Sequence, residues 1–327
     1  MTLSLTLACW DYDRTAALAD GRVRPEGVDL TYLDLPVEET FFRMLRFAEF
    51  DVAELSLSSY VISMARGAPF VAIPVFPSRA FRHNGVYVRA GAGIEAPQDL
   101  VGRRVGVPEY QMSAAVWIRG ILADHYGVPV GSVTYRTGGL HDPGRHEKLP
   151  IDPPGVKIEP IPPGETLAGM LVRGEIDALY SPRVPRPFLQ GDLRVHRLWP
   201  DAASEEKAYV SRTGIFPIMH LVAIRRDVYE ANRWVARSLY KAFEEAKAVA
   251  EARLEETAAP ANLLPWSYQE VRETKAVMGE DFWPYGLEAN LHTLGTFLRY
   301  SHEQGLADRL YEPSELFCPE AGASAVV

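Results

Sequence analysis

Two arginines and a histidine stand within five residues of one another, at Arg79, Arg82 and His83. Residues 85–89 follow with the apolar pattern of a strand, so we expect the three side chains on one short loop that leads into it. Such a loop offers a small anion two permanent cations and one group that titrates near neutral pH. The competing interpretation is a solvated basic turn without a ligand.

The composition of the chain makes this cluster informative. The 327 residues have a formal net charge of -9, so positive charge is local. No basic tract is present, and we expect no nucleic-acid partner. The two cysteines, Cys9 and Cys318, do not make a disulfide framework. The N-terminus lacks a signal-peptide pattern and no run approaches the ~20 apolar residues of a membrane helix, which predicts a cytoplasmic protein without a membrane partner.

The elements that must position these side chains alternate between strand and helix. Strands are predicted at residues 3–8, 28–33 and 50–57, and helices at residues 15–20 and 38–47. This alternation favours an α/β fold in which helices cover a mostly parallel sheet. Residues 44–51 match residues 170–177 at four of eight positions, and each copy has the pattern of helix end, tight turn and buried strand. The repeat suggests two lobes of similar construction.

The length suits two such lobes. We expect lobe one at residues 1–88 together with 206–327, which include C-terminal helices, and lobe two at residues 89–205. The strands at 85–89 and 215–224 would connect the lobes, and a ligand would bind in the cleft between them. Residues 138–163 are rich in Gly, Pro and His, and we interpret them as a surface excursion, either a flap or a contact within a homo-oligomer.

Polar side chains near predicted strand ends and connections supply the candidate site. The acid/base candidates are His83, His220, Glu54 and Glu109, and the substrate-binding candidates are Arg14, Ser56, Ser58, Arg79, Arg82, Tyr110, Gln111 and Arg183. A helix that begins after residue 111 would add the partial positive charge of its N-terminus.

Each candidate also has a structural interpretation. Glu54 could form an ion pair with Arg79 or Arg14, His220 could be a hydrogen-bonded core histidine, and the serines could be caps. The chain has no GxSxG, HExxH, P-loop or GxGxxG motif in the required context, which counts against a serine hydrolase, a zincin, an NTPase and a nicotinamide-dependent oxidoreductase. The residues alone therefore indicate a two-lobed small-anion protein.

Several strings together resemble a known family. They are DYDR (11–14), FDVAELSLSSY (50–60), IPVFPSRAFRH (73–83), GVPEYQM (106–112), VWIRG (116–120) and GIFPIMH (214–220). The sequence is similar to the 4,5-dihydroxyphthalate decarboxylase family over residues 1 to about 250. The resemblance implies a two-lobed fold like that of type II periplasmic binding proteins, in a cytoplasmic carboxy-lyase of phthalate degradation.

The resemblance further implies a reaction without a cofactor. The small aromatic substrate would lose CO2 to give 3,4-dihydroxybenzoate, with Arg14, Arg79, Arg82 and Arg183 holding its carboxylates. His83 or His220 would act as the proton donor or as the base for a ring hydroxyl, with Glu54 or Glu109 orienting the histidine or supplying the proton. We expect His83 to be the better placed of the two histidines.

Two other functions stay open from the sequence. The first is a non-catalytic protein of the same fold that binds or senses an aromatic acid, which would need cations but no acid/base pair. The second is a metal-assisted lyase or hydrolase in which His83, His220 and a glutamate hold a divalent metal.

Overall fold

The computed structural model describes residues 2–67, 69–149 and 151–321. The strands within these ranges are β1 (Leu3–Cys9), β2 (Val28–Asp34), β3 (Val52–Ser56), β4 (Phe70–Arg79), β5 (Val86–Arg89), β6 (Arg104–Val107), β7 (Thr134–Thr137), β8 (Lys157–Pro160), β9 (Ala178–Tyr180), β10 (Val195–Arg197) and β11 (Ile218–Arg225). The α-helices are α1 (Asp13–Ala19), α2 (Val37–Phe47), α3 (Leu57–Met64), α4 (Ser113–Tyr126), α5 (Leu167–Arg173), α6 (Arg186–Leu189), α7 (Ala202–Thr213), α8 (Arg226–Ala231), α9 (Trp234–Leu254), α10 (Ser267–Met278) and α11 (Leu291–Glu303). Among these helices, none has the length and apolar character that crossing a bilayer requires.

The described residues form two compact units, each with its own sheet. The first unit comprises the described residues of 1–79, 218–295 and 311–327, and the second comprises those of 80–217 and 296–310. The chain therefore passes between the units after residues 79, 217, 295 and 310. These units differ from the predicted lobes. Residues 80–88, 206–217 and 296–310 were predicted in lobe one, but they cluster with the second unit.

The sheet of the first unit has the order β2-β1-β3-β11-β4. Strand β1 runs parallel to β2 and β3, and β11 runs antiparallel to β3 and β4. Every residue of β3 is buried, as expected for a strand covered on both faces. Helix α2 packs its apolar side inward through Phe41 and Met44. The sheet is thus mixed rather than mostly parallel.

The sheet of the second unit has the order β10-β5-β9-β6-β7-β8. Strands β6, β7, β8 and β9 run parallel, whereas β5 is antiparallel to β9 and to β10. Tyr87, Leu167, Leu171 and Leu179 belong to a buried cluster between helix α5 and this sheet. Strand β5 lies in the second sheet and β11 in the first, which differs from the connecting role predicted for residues 85–89 and 215–224.

Three local predictions need correction. The predicted strand 50–57 ends at Ser56, whose hydroxyl accepts from the Ser59 N–H and starts helix α3, so residues 57–64 are helical. Strand β4 extends to Arg79, which pairs with Ile218, so Arg79 is a strand residue rather than part of a loop. The excursion at 138–163 contains β8, which pairs with β7 at the edge of the second sheet.

The internal repeat is present in three dimensions. Ala48 caps the C-terminus of helix α2 and Gly174 that of helix α5, and both residues have left-handed backbone, with φ of 48° and 80°. Asp51 then accepts a hydrogen bond from the Thr6 N–H of β1, and Asp177 accepts one from the Arg104 N–H of β6. The two copies use the same cap position and the same aspartate contact, so the repeated string specifies one local structure twice.

The cap position gives a matched pair of stability predictions. Left-handed backbone is unfavourable for alanine and natural for glycine. We expect Ala48→Gly to stabilise the protein by about 0.5–1 kcal/mol, after the entropy cost of the added glycine in the unfolded chain. Gly174→Ala should destabilise it by about 1–2 kcal/mol, since a Cβ would also meet the Arg89 side chain at 2.8 Å. Urea midpoints measure both, and a loss of stability in Ala48→Gly would contradict the account.

Candidate active site

The centre of the candidate site is the buried carboxylate of Glu54 in strand β3. Its Oε1 accepts from the Tyr12 hydroxyl at 2.7 Å and contacts Nδ1 of His220 at 2.5 Å. Its Oε2 accepts from the Trp10 N–H at 3.1 Å and from the Cys9 thiol at 3.5 Å. The donors come from the end of β1, from the residues after it and from β11. The expected ion pair of Glu54 with Arg79 or Arg14 is therefore replaced by a pair with His220.

These contacts determine the ionisation of the Glu54 carboxylate. Burial would by itself raise the pKa of Glu54, but the charge and hydrogen bond of His220, with the hydrogen bonds from Tyr12 and Trp10, hold that pKa below its usual value. The carboxylate stays ionised and accepts the Nδ1 proton of His220. Burial, together with the charge of Glu54, raises the pKa of the Tyr12 hydroxyl far above its usual value, so Tyr12 remains a donor.

His220 lies in strand β11, between β3 and the edge strand β4. The pairing of β11 with β4 shifts register on both sides of His220, which marks an irregularity at this residue. The edge of the Phe41 ring packs against the imidazole, with ring centroids 4.8 Å apart. The side chain keeps 17% of its surface exposed, and within the described residues Nε2 has no hydrogen-bond partner. Nε2 is the atom of the pair available to a substrate.

Arg14 lies beside this pair and contacts two aromatic rings. Its guanidinium carbon is 4.1 Å from the centre of the Tyr12 ring and 4.2 Å from that of the Trp283 ring. Nε donates to the Pro77 carbonyl at 2.6 Å, and Nη1 donates to Asp13 at 3.0 Å. Tyr12 thus links Arg14 to Glu54, through its ring on one side and its hydroxyl on the other.

The other candidates of the first unit have structural contacts. Arg79 is buried and donates to the Pro284 carbonyl at 2.7 Å and to the Asn290 side chain. Burial lowers the pKa of Arg79 to about 9. Ser56 pairs through its backbone with His220 and caps α3, and Ser58 lies buried in the first turn of that helix. Their roles in substrate binding stay predictions.

His83 occupies an aromatic box in the second unit, formed by Tyr126, Trp199 and Tyr209. The centroids of the three rings lie 6.1, 5.1 and 5.2 Å from that of the imidazole. The side chain is buried, and neither ring nitrogen has a partner among the described residues. Burial lowers the pKa of His83 to about 4. This environment favours a neutral core histidine over an acid catalyst near neutral pH.

Arg82 precedes His83 and is half-buried in the same unit. Burial lowers the pKa of Arg82 to about 10, and the nearby Glu206 carboxylate opposes this effect. Arg183 is exposed, and its backbone N–H donates to the Ser181 hydroxyl at 3.2 Å. Carboxylate binding by both arginines stays a prediction.

Glu109 is a buried carboxylate that two cations neutralise. Arg145 contacts it at 2.7 Å, and the Lys148 ammonium is also paired with it. The Gln111 amide donates to its Oε2 at 3.3 Å. These ion pairs link residues 145–148 of the predicted excursion to the loop before α4. The arrangement favours a structural role for Glu109.

Tyr110 lies in the same loop and is buried. Its hydroxyl donates to the Gln304 carbonyl at 3.2 Å, and its backbone N–H donates to Glu147. Burial raises the pKa of Glu147 to about 7, with a smaller contribution from the charge of Glu109 and against the hydrogen bond from Tyr110. In the ranges that the structure describes, no group of three or more His, Cys, Asp or Glu side chains could hold a metal ion.

The sequence placed Tyr12 near the predicted site without assigning it a role, and it did not place Trp283 there at all. Tyr12 belongs to the DYDR string beside the predicted Arg14, and this adjacency was an available signal. Trp283 lies 269 positions after Arg14, and nothing in the sequence pairs these two residues.

Comparison with known proteins places the chain in a family. No protein-family model matches it. The 4,5-dihydroxyphthalate decarboxylase of Comamonas testosteroni is 44% identical over 319 residues, which cover 97% of each chain. The enzyme of the same name from Pseudomonas putida is 46% identical over 201 residues, 61% of this chain and 78% of the relative. The chain belongs to the 4,5-dihydroxyphthalate decarboxylase family. The predicted family is thereby confirmed.

Comparison with solved structures identifies the fold of this family member. The periplasmic sulfonate-binding protein SsuA of Methylobacillus flagellatus superposes with a TM-score of 0.57 at 13% identity, over 98% of this chain and 92% of that one. The aliphatic sulphonate-binding protein SsuA of Escherichia coli gives 0.55 at 14% identity, over 97% and 98%. The predicted periplasmic-binding-protein-like α/β fold is confirmed. Two of the strings behind the family resemblance, 50–60 and 214–220, supply Glu54 and His220.

The environment of His83 predicts a measurable acid sensitivity. A histidine in the unfolded chain binds a proton near its usual pKa of 6.5, whereas folded His83 does so only near 4. The folded state therefore loses up to about 3 kcal/mol as the pH falls from 6.5 toward 4. His83→Phe, which suits an aromatic box, should flatten the fall of the melting temperature between pH 7 and pH 5. The exposed His196→Gln is the control, and an equal fall in His83→Phe and wild type would refute the assignment.

Proposed function

We propose that this protein catalyses the decarboxylation of 4,5-dihydroxyphthalate to 3,4-dihydroxybenzoate and CO2, with the Glu54–His220 pair moving the proton. The observation that supports it most is the 2.5 Å contact between the buried Glu54 carboxylate and Nδ1 of His220 in a member of this family. Curated relatives with this activity favour the enzyme over a non-catalytic binding protein. The binding-protein fold is compatible with both.

The substrate has two adjacent carboxylates, and one of them must stay on the ring. Arg14 is the cation suited to hold the retained carboxylate, because stacking on Tyr12 and Trp283 fixes the plane of its guanidinium. Its contacts with Pro77 and Asp13 use Nε and Nη1, which leaves Nη2 for the substrate. A cation on the leaving carboxylate would stabilise the ground state and bring no gain in rate.

The chemical step replaces a C–C bond by a C–H bond at the same ring carbon. The hydroxyl para to the leaving carboxylate pushes electron density onto that carbon, which takes the proton of the His220 imidazolium at Nε2. The C–C bond then breaks, its electron pair restores the aromatic ring, and the carboxylate leaves as neutral CO2. His220 recovers its proton from solvent, so atoms and charge balance. Glu54 stabilises the imidazolium through Nδ1 and keeps Nε2 toward the substrate.

The same criteria favour His220 over His83 as the proton donor. His220 has a buried carboxylate on one ring nitrogen and partial exposure for the other. His83 is buried among aromatic rings, and its pKa of about 4 keeps it neutral near pH 7. A neutral imidazole without an orienting partner is a poor general acid. This assignment reverses the expectation from sequence that His83 is the better placed.

The reaction as proposed uses no cofactor, because the para hydroxyl of the substrate acts as the electron donor that the step requires. Small aromatic carboxylates are the proposed ligands. Residence in the cytoplasm and assembly as a homo-oligomer also remain proposals.

Substitution of the pair tests its role directly. His220→Asn should lower kcat on 4,5-dihydroxyphthalate by about 10²–10⁴-fold, since the proton donor is removed. Glu54→Gln should lower kcat by a similar order, because the amide neither stabilises the imidazolium nor fixes its tautomer. His83→Asn is the matched control and should keep kcat within about threefold of wild type once its folding is verified. CO2 release measures all three, and full turnover by His220→Asn would show that the pair does not move the proton.

Removal of metal ions tests cofactor independence. Dialysis against EDTA, followed by assay in metal-free buffer, should leave kcat and KM unchanged. Loss of activity that Mn²⁺ or Zn²⁺ restores would replace the proposal by a metal-assisted lyase.

A further inference from the structure

The aromatic turn at residues 282–286 (FWPYG) lies against strand β4, the edge strand of the first sheet. The Trp283 indole N–H donates to the Phe76 carbonyl at 2.9 Å, and the Gly286 N–H donates to the Pro74 carbonyl at 2.8 Å. The turn thus satisfies carbonyl groups of an edge strand and protects that edge. This contact brings a residue from far along the chain to the site around Arg14.

Two buried cations and one buried amide hold the turn in place. Lys247 donates to the Trp283 carbonyl at 3.1 Å, and Arg79 donates to the Pro284 carbonyl at 2.7 Å. The Asn290 amide donates to the Pro284 and Gly286 carbonyls at 3.0 and 2.7 Å. The turn is therefore a fixed part of the first unit, and Arg79 acts on the site through it.

The guanidinium carbon of Arg14 lies over the indole ring of Trp283 as well as over the ring of Tyr12. The two ring centres are 4.2 and 4.1 Å from that carbon, so both rings contact the same cation. Contact with two π-faces restricts the motion of the side chain without using its N–H groups, of which Nε and Nη1 are bound to Pro77 and Asp13. Loss of the Trp283 ring would leave the guanidinium less restricted, with the Tyr12 ring and these two hydrogen bonds to hold it.

We infer that Trp283 is a positioning residue for substrate binding, which orients Arg14 to receive the retained carboxylate of an aromatic dicarboxylate. This inference rests on the proposed function. Trp283 acts before the chemical step. We therefore expect its substitution to change KM and the affinity for unreactive phthalate, and to change kcat little. Phenylalanine preserves a ring face and should preserve most of the effect.

The test compares Trp283→Leu with Trp283→Phe, and uses Trp266→Leu at an exposed tryptophan as the matched control. Trp283→Leu should raise KM for 4,5-dihydroxyphthalate, and Kd for phthalate by calorimetry, about tenfold, with kcat within threefold of wild type. Trp283→Phe should stay within threefold in KM and Kd, and Trp266→Leu should match wild type. Melting temperatures verify that each variant is folded.

A double-mutant cycle separates positioning from a purely structural role. In an Arg14→Ala background, Trp283→Leu should raise Kd for phthalate less than twofold further, because the residue it orients is gone. A tenfold rise in that background, or an unchanged Kd in Trp283→Leu alone, overturns the inference. Absence of turnover by wild type with intact phthalate binding defeats the proposed function only, whereas absence of phthalate binding by wild type defeats the inference too.

Discussion

A buried carboxylate with several donors is the constraint on which the first unit depends. Glu54 lies in a strand that is buried on both faces, where an unpaired charge would cost several kcal/mol. The fold meets this cost with Tyr12, Trp10, Cys9 and His220, which come from different segments of the chain. The order β1-β3-β11 brings those segments together. The same contacts that make burial tolerable also orient the His220 ring, to which we assign proton transfer.

Arginines in this protein have two different uses. Arg14 contacts two aromatic rings with part of its guanidinium available, whereas Arg79 is buried and donates to a turn and to Asn290. The distinction follows from position, because Arg14 follows the end of β1 and Arg79 ends the edge strand β4. Arg14, which we propose binds substrate, and Arg79 therefore belong to one network of contacts that includes Trp283.

The sequence predicts the chemical groups well and their partners poorly. Glu54 and His220 follow from residue type and position, but their pairing depends on the antiparallel register of β3 and β11, between residues 166 positions apart. The start of helix α3 escapes prediction because Leu57 continues the strand-like pattern of the preceding residues, and the cap at Ser56 depends on a single hydrogen bond. Clustering along the chain overstates the link between Arg79 and His83, since the two residues belong to different compact units. The structure of short strings such as the repeated helix end is predicted correctly, because residues close together in the sequence determine it.

The central claim is that Nε2 of His220 delivers the proton while Arg14 holds the retained carboxylate. The most direct measurement is a crystal structure with the product, 3,4-dihydroxybenzoate, bound. The account predicts that ring carbon C6, where the proton has been added, lies about 3.5 Å from Nε2 of His220, with the product carboxylate on Arg14. A product ring bound against His83, or bound with C6 beyond the reach of His220, would contradict it.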